Sequence, residues 1–126
     1  MSYRAWLKKA VSDLKSARKL LAGDDPLMDT AIYHTQQCAE KALKAYLSFH
    51  QQPIQRSHDL ELLVEVCMQI DKDFEGLYRY SEQLAPYATA FRYPDICLEP
   101  DYDDVFSAIE MAEKILDFVE KKIEKA

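Results

Sequence analysis

Apolar residues return along this chain at intervals of three and four in five separate stretches, and that spacing sets the expected architecture. Tyr3, Leu7, Ala10, Leu14, Ala17 and Leu21 form a stripe down one helical face, with Trp6 beside it. The run Gly23-Asp24-Asp25-Pro26 ends that helix, with the glycine placed for a left-handed cap. A second helix is predicted from about Met28 to Phe49. On it Ala31, Thr35, Cys38, Ala39, Ala42, Tyr46 and Phe49 cover one broad arc, and the alanines permit close helix approach. Tyr33, Gln37, Glu40 and Lys44 fall in a narrow band on the opposite side. By itself that band reads as a solvated face or a homodimer seam.

Pro53 breaks the loop that follows, Gln51 to Ser57. A third helix is expected to begin near His58, with Ser57 as N-cap and Asp59 and Glu61 in the first turn, where they suit the helix dipole. Leu60, Leu63, Val64, Cys67 and Ile70 are its inward positions, and Asp71-Lys72-Asp73 interrupts it. Phe74, Leu77, Tyr78, Ser81, Leu84, Ala85 and Ala88 mark a fourth helix, bent or loosened at Pro86. After a break from Arg92 to Pro100, Val105, Ile109, Ala112, Leu116, Val119 and Ile123 form a final stripe, with Asp101 as its N-cap. No strand and no internal repeat is predicted. The expected fold is all-α: an antiparallel up-and-down bundle of four long helices plus one shorter helix, in a single domain over residues 1–126.

Composition agrees with this pattern. Two glycines and five prolines, against 48% hydrophobic and 30% charged residues, argue against a many-turned β architecture and against disorder. No apolar run approaches the roughly 18 residues of a membrane span, and the N-terminus lacks a secretory apolar region, so a cytoplasmic protein without a membrane partner is expected. Cys38, Cys67 and Cys97 are widely spaced and odd in number, and read as small buried hydrophobes. The net charge of −6 weighs against simple electrostatic binding of nucleic acid. The charge is uneven, however. Lys8, Lys9, Lys15, Arg18 and Lys19 lie early, while Glu99, Asp101, Asp103 and Asp104 cluster late. Solvated helix faces explain most such runs, although opposite patches also allow an oriented partner.

Most catalytic signatures are missing. Two glycines cannot build a phosphate-cradling loop, and Asp101-x-Asp103-Asp104 lacks the strand and Gly-Ser turn of a two-metal carboxylate site. No pair among His34, His50 and His58 has the helical metal spacing, so neither metal nor cofactor is expected. His34 falls at the edge of the second helix and His50 at its end. His58, after Arg56 and Ser57, reads either as a structural hydrogen bond or as an anion contact. Ala90-Phe91-Arg92-Tyr93-Pro94-Asp95 breaks the helical pattern and presents a cation, a phenol and a carboxylate together. It reads either as a recognition segment or as a structural corner in which Pro94 directs the chain and Arg92 pairs with Asp95.

The run Gln36-Gln37-Cys38-Ala39-Glu40-Lys41-Ala42-Leu43-Lys44-Ala45-Tyr46-Leu47, then Ser57-His58-Asp59-Leu60 and Phe91-Arg92-Tyr93-Pro94-Asp95, resembles the HEPN domain family in order and spacing over nearly the whole chain. The resemblance implies an up-and-down helical bundle, a homodimer, and a minimal nucleotidyltransferase as partner protein in a toxin–antitoxin-like pair. It also implies a nucleotide or RNA phosphate as ligand. Many members are metal-independent ribonucleases with an Arg, four to six intervening residues, then His. This chain departs from that pattern: no histidine follows Arg92, and Arg56-Ser57-His58 has a single intervening residue. The resemblance therefore carries over no nuclease activity. What it does carry over is a ligand-binding set of Gln37, Lys41, Lys44, His58, Arg92 and Tyr93, with the cations for phosphate and the tyrosine for base stacking. The expected function is a noncatalytic nucleotide- or phosphate-binding module. The alternatives are a ribonuclease toxin in which His58 and Arg92 replace the missing pair, and a helical interaction scaffold without a ligand.

Overall fold

The computed structural model describes residues 2–53, 56–94 and 99–126, and among these every regular element is helical. Helix α1 spans Tyr3–Leu21, α2 Met28–Phe49 and α3 Leu60–Met68. A 3-10 helix over Lys72–Leu77, α4 over Tyr78–Leu84 and a 3-10 turn over Ala85–Ala88 follow one another directly, and α5 spans Tyr102–Glu124. The fourth helical segment of the bundle is thus a composite rod with Pro86 in its last turn, where the missing amide N–H loosens the helix. Asp95 and Cys97 lie outside the described residues.

Local chemistry sets the element ends. Ser2 accepts from the Ala5 amide at the start of α1, and Gly23 takes a positive φ of 92° just after its end. Asp101 and Asp104 close a reciprocal capping box on α5. The start of α3 differs from the sequence expectation. Asp59, not Ser57, is the N-cap, and its carboxylate accepts from the Glu61 and Leu62 amides. Ser57 Oγ accepts from the Asp59 amide one step earlier, so His58 precedes the helix. Because α3 stops at Met68, Ile70 falls beyond it and is exposed instead of inward-facing.

Helix α2 is the axis of the bundle and packs most extensively against α1 and α5. Its predicted arc is buried from Ala31 to Tyr46, as are Leu14, Ala17, Leu63, Phe74, Ile115 and Val119 around it. Phe74 lies 4.3 Å from Tyr46 and 4.9 Å from Phe118 between ring centroids, tying the composite rod to α2 and α5. Such encirclement also covers part of the polar band. Glu40 is 3% exposed and Lys44 6%, and neighbouring Gln36 is fully buried. Half of the band predicted as a wet face, Glu40 and Lys44, thus lies inside the protein, while Tyr33 and Gln37 are half-buried.

Candidate functional site

Two polar clusters grow from this band. Glu40 is the centre of the first. Its Oε2 accepts from Lys44 Nζ at 3.1 Å, and its Oε1 accepts from His58 Nδ1 at 2.9 Å and from Gln36 Nε2 at 3.3 Å. Gln36 Nε2 also donates to the His58 carbonyl at 3.2 Å, and Gln37 Nε2 donates to Gln36 Oε1 at 2.8 Å. The i, i+4 spacing of Gln36, Glu40 and Lys44 puts all three on one line of α2. Lys44 also lies 5.6 Å from the centre of the Trp6 ring. A buried carboxylate and a buried ammonium are retained together because each balances the other. Lys44 is therefore committed to Glu40. His58 is held along one edge while its side chain stays 73% exposed.

Asp13 of α1 organises the second cluster. One carboxylate oxygen accepts from Lys41 Nζ at 2.7 Å and the other from His34 Nδ1 at 2.8 Å, with Asp13 itself buried. His34 also lies edge-on to Tyr33, ring centres 5.6 Å apart. The helix break also reaches Tyr33. Phe91 takes a positive φ of 67°, a conformation bulky residues rarely adopt, and this turns the chain so that the Arg92 guanidinium lies 4.2 Å from the centre of the Tyr33 ring. Asp29, Thr30, Tyr33, His34 and Arg92 line a pocket of about 270 Å³ there. Tyr93, next along, is 57% exposed.

The residues singled out from sequence therefore divide. Arg92 lines the pocket, and Lys41 reaches its wall through Asp13 and His34. Gln37, Lys44 and His58 belong to the Glu40 cluster. Sequence reasoning missed Tyr33 and His34 as a pair flanking Arg92, and missed Asp13 altogether. Asp13 sits beside Leu14 on the apolar stripe of α1, and a carboxylate flanking such a stripe is the one signal that marks it.

Burial raises the Cys67 thiol to about 12, and burial with the Asp13 charge pushes Cys38 higher still, so neither is a thiolate at neutral pH. Among the described residues no group of three or more His, Cys, Asp or Glu side chains is arranged to hold a metal ion. Within the same residues no helix is long and apolar enough to cross a membrane.

The family model for the HEPN domain matches residues 3–122. The crystal structure of ST0689, an archaeal HEPN homologue, is similar with a TM-score of 0.77 and 28% identity, over 98% of each chain. The crystal structure of TT1696 from Thermus thermophilus is similar with a TM-score of 0.80 and 29% identity, over 95% of this chain and 97% of that one. No curated protein is a significant match.

Proposed function

The chain belongs to the HEPN domain family, and from that membership we propose a noncatalytic nucleotide- or phosphate-binding module that partners a minimal nucleotidyltransferase in a toxin–antitoxin-like pair. One observation carries the ligand reading. Arg92, stacked over Tyr33, lines a pocket of about 270 Å³, whereas Lys41 and Lys44 are engaged by carboxylates. Small-molecule sites are commonly about 300–1,000 Å³, so this pocket suits a phosphate group with part of a nucleotide. On this reading Arg92 binds the phosphate and exposed Tyr93 offers a stacking face. His58, expected from the sequence to contact the ligand, instead bonds Glu40 in the neighbouring cluster. Lys41, Lys44 and Gln37 support the site by holding the α2 clusters in place.

A cytoplasmic homodimer belongs to the same reading. Tyr102 and Phe106 stack at the start of α5 with ring centres 6.4 Å apart and stay about half exposed, leaving apolar surface for a second copy to bury.

Calorimetry with nucleoside mono- and triphosphates tests the module. Arg92→Ala is expected to weaken binding at least about tenfold, the loss of one charge-assisted bond, with the melting temperature unchanged. Absence of binding by wild type, alone or with its co-purified partner, supports the scaffold alternative. So does an Arg92→Ala variant that loses stability and keeps binding.

One observation favours the ribonuclease alternative in altered form. His58 does not line the Arg92 pocket, but His34, oriented by Asp13, does. An imidazole beside a guanidinium can do acid–base work while the cation supports phosphate. RNA cleavage by the purified protein, lost in His34→Gln, selects this reading, and intact RNA leaves the binding module.

A further inference from the structure

We propose that the Arg92 pocket is an oxyanion site whose charge His34 sets, so that it captures a phosphoryl or sulfuryl group mainly when this imidazole is protonated. The inference rests on the ligand reading above and adds the group that regulates it. Asp13 is buried and its carboxylate accepts from His34 Nδ1 at 2.8 Å, so Nδ1 carries a proton in either charge state. With Nδ1 committed to Asp13 on α1, Nε2 is the ring nitrogen left to serve an anion in the pocket that His34 lines. In the neutral ring Nε2 holds a lone pair that repels an anion. In the cation it becomes a second N–H donor beside the Arg92 guanidinium.

The surrounding charges make that one proton decisive. From α1, His34 meets Asp13, whose second oxygen is taken by Lys41 at 2.7 Å. Along α2 it has Tyr33 and Asp29 as pocket neighbours, and from the break it has Arg92. The Asp13 and Lys41 charges offset each other behind the ring. Within the pocket Asp29 offsets Arg92, leaving the lining neutral while His34 is neutral and singly positive once it is protonated. Asp29 Oδ1 accepts from its neighbour's amide, Thr30 N, at 2.8 Å, which keeps the carboxylate on α2. The Thr30 hydroxyl also donates to Asp29 Oδ1, at 3.4 Å, so the anion's donors in the pocket are Arg92 and His34. Protonation of the ring adds the one positive charge, so capture strengthens as pH falls.

Inorganic sulfate is the probe, because its charge is constant near neutral pH while that of phosphate is not. Calorimetry at pH 5.5 and pH 8.0 should show sulfate bound at least about tenfold more tightly at the lower pH, the effect of one added charge-assisted donor. His34→Gln keeps a donor toward Asp13 but cannot titrate, and should bind weakly at both pH values. In the wild type, sulfate should shift the His34 ring resonances at pH 5.5 and leave those of His50 in place, a readout that requires no variant to fold. Bound sulfate yielding to lower concentrations of a nucleoside monophosphate than of inorganic phosphate identifies a nucleotide as the source of the anion. Equal displacement identifies free phosphate, and either result supports the oxyanion site. Sulfate affinity independent of pH, or a wild-type pH slope kept in His34→Gln, overturns the role of His34 while the ligand reading stands. Failure of sulfate and nucleotides to bind at either pH overturns both.

Discussion

Glu40 and His58 lie 18 residues apart and meet at 2.9 Å, so that one buried carboxylate fastens the approach to α3 onto the middle of α2. The same carboxylate holds Lys44, whose side chain is 7% exposed, and lies 3.3 Å from the Gln36 amide. These bonds explain why three polar residues occupy the most enclosed helix of the bundle. They satisfy one another, and any one alone carries a desolvation cost.

Removing the acid should therefore be costly. Glu40→Gln leaves the Lys44 charge buried without its counter-ion, and breaking a buried pair in this way costs about 3–5 kcal/mol. Urea denaturation is expected to show that loss. Replacing both residues, Glu40→Met with Lys44→Met, should restore most of the stability, because no buried charge then lacks a partner. A double variant as unstable as Glu40→Gln would show that the pair is not the source of the effect.

Lys122 of α5 bonds Asp71 at 2.7 Å and Asp73 at 2.6 Å, linking the last helix to the start of the composite rod. The bond from Lys122, followed by that from the Asp73 amide, holds the Asp71 carboxyl below its usual range. The bonds to Asp71 and Asp73 hold the Lys122 ammonium above its own. A depressed acid contributes fully above its unfolded pKa, about 3.9, and loses that contribution as pH falls through the lower folded value. A raised base contributes fully below its unfolded pKa, about 10.4, and loses that contribution as pH rises through the higher folded value. The link should thus be constant from about pH 5 to 9 and fade in stronger acid. Lys122→Met should lower the urea midpoint modestly at pH 7, with the difference from wild type shrinking as the solution is acidified toward pH 2.

The helices were legible in the sequence because burial in a bundle repeats with the helical turn, as Leu14, Ala17 and Leu21 or Ile109, Ala112 and Leu116 show. The Asp101 cap and the stop at Gly23 were legible for a local reason, since each acts within a few residues. Periodicity failed at Glu40 and Lys44. It reports which residues share a face, and a polar face is solvated only if no other element covers it. Here both α1 and α5 pack on α2, and the segment before α3 covers Glu40. The site was half legible. Arg92 stands out at a helix break, but its neighbours Tyr33 and His34 are some 60 residues earlier, and packing of the Ala85–Ala88 turn on α2 with the positive φ at Phe91 accompanies their meeting. Nothing local to α1 marks Asp13 as the partner of His34.

Cys38 and Cys67 are fully buried in the core, and burial holds both thiols protonated at neutral pH. With Cys97→Ser as background, an aromatic disulfide reagent at pH 8 should label neither in the folded protein and both in denaturant. Since access requires opening of the core, the native labelling rate should rise with urea in parallel with unfolding. Rapid labelling without urea would show that one of the two helices opens locally.

The end of α2 offers a substitution that should stabilise the protein. The Gln52 amide donates to the Leu47 carbonyl at 2.9 Å and the Gln51 amide to that of Ser48 at 3.0 Å, the paired bonds of a Schellman motif. That motif needs a left-handed residue at its centre, and Gln51 supplies it with a φ of 57°. After α1 a positive φ is taken by Gly23, which carries no such penalty, although that turn lacks the paired bonds. A left-handed conformation costs an L-residue about 1–2 kcal/mol, and the extra freedom of glycine in the unfolded chain returns about 0.5–1 kcal/mol of that. The Gln51 side chain is exposed, so its removal sacrifices little packing. Gln51→Gly should then raise stability by about 0.5–1 kcal/mol, and Gly23→Ala should lower it by a similar amount. Urea midpoints of the two variants check the pair. Equal destabilisation by both would mean that Gln51 makes contacts in solution that outweigh its backbone strain.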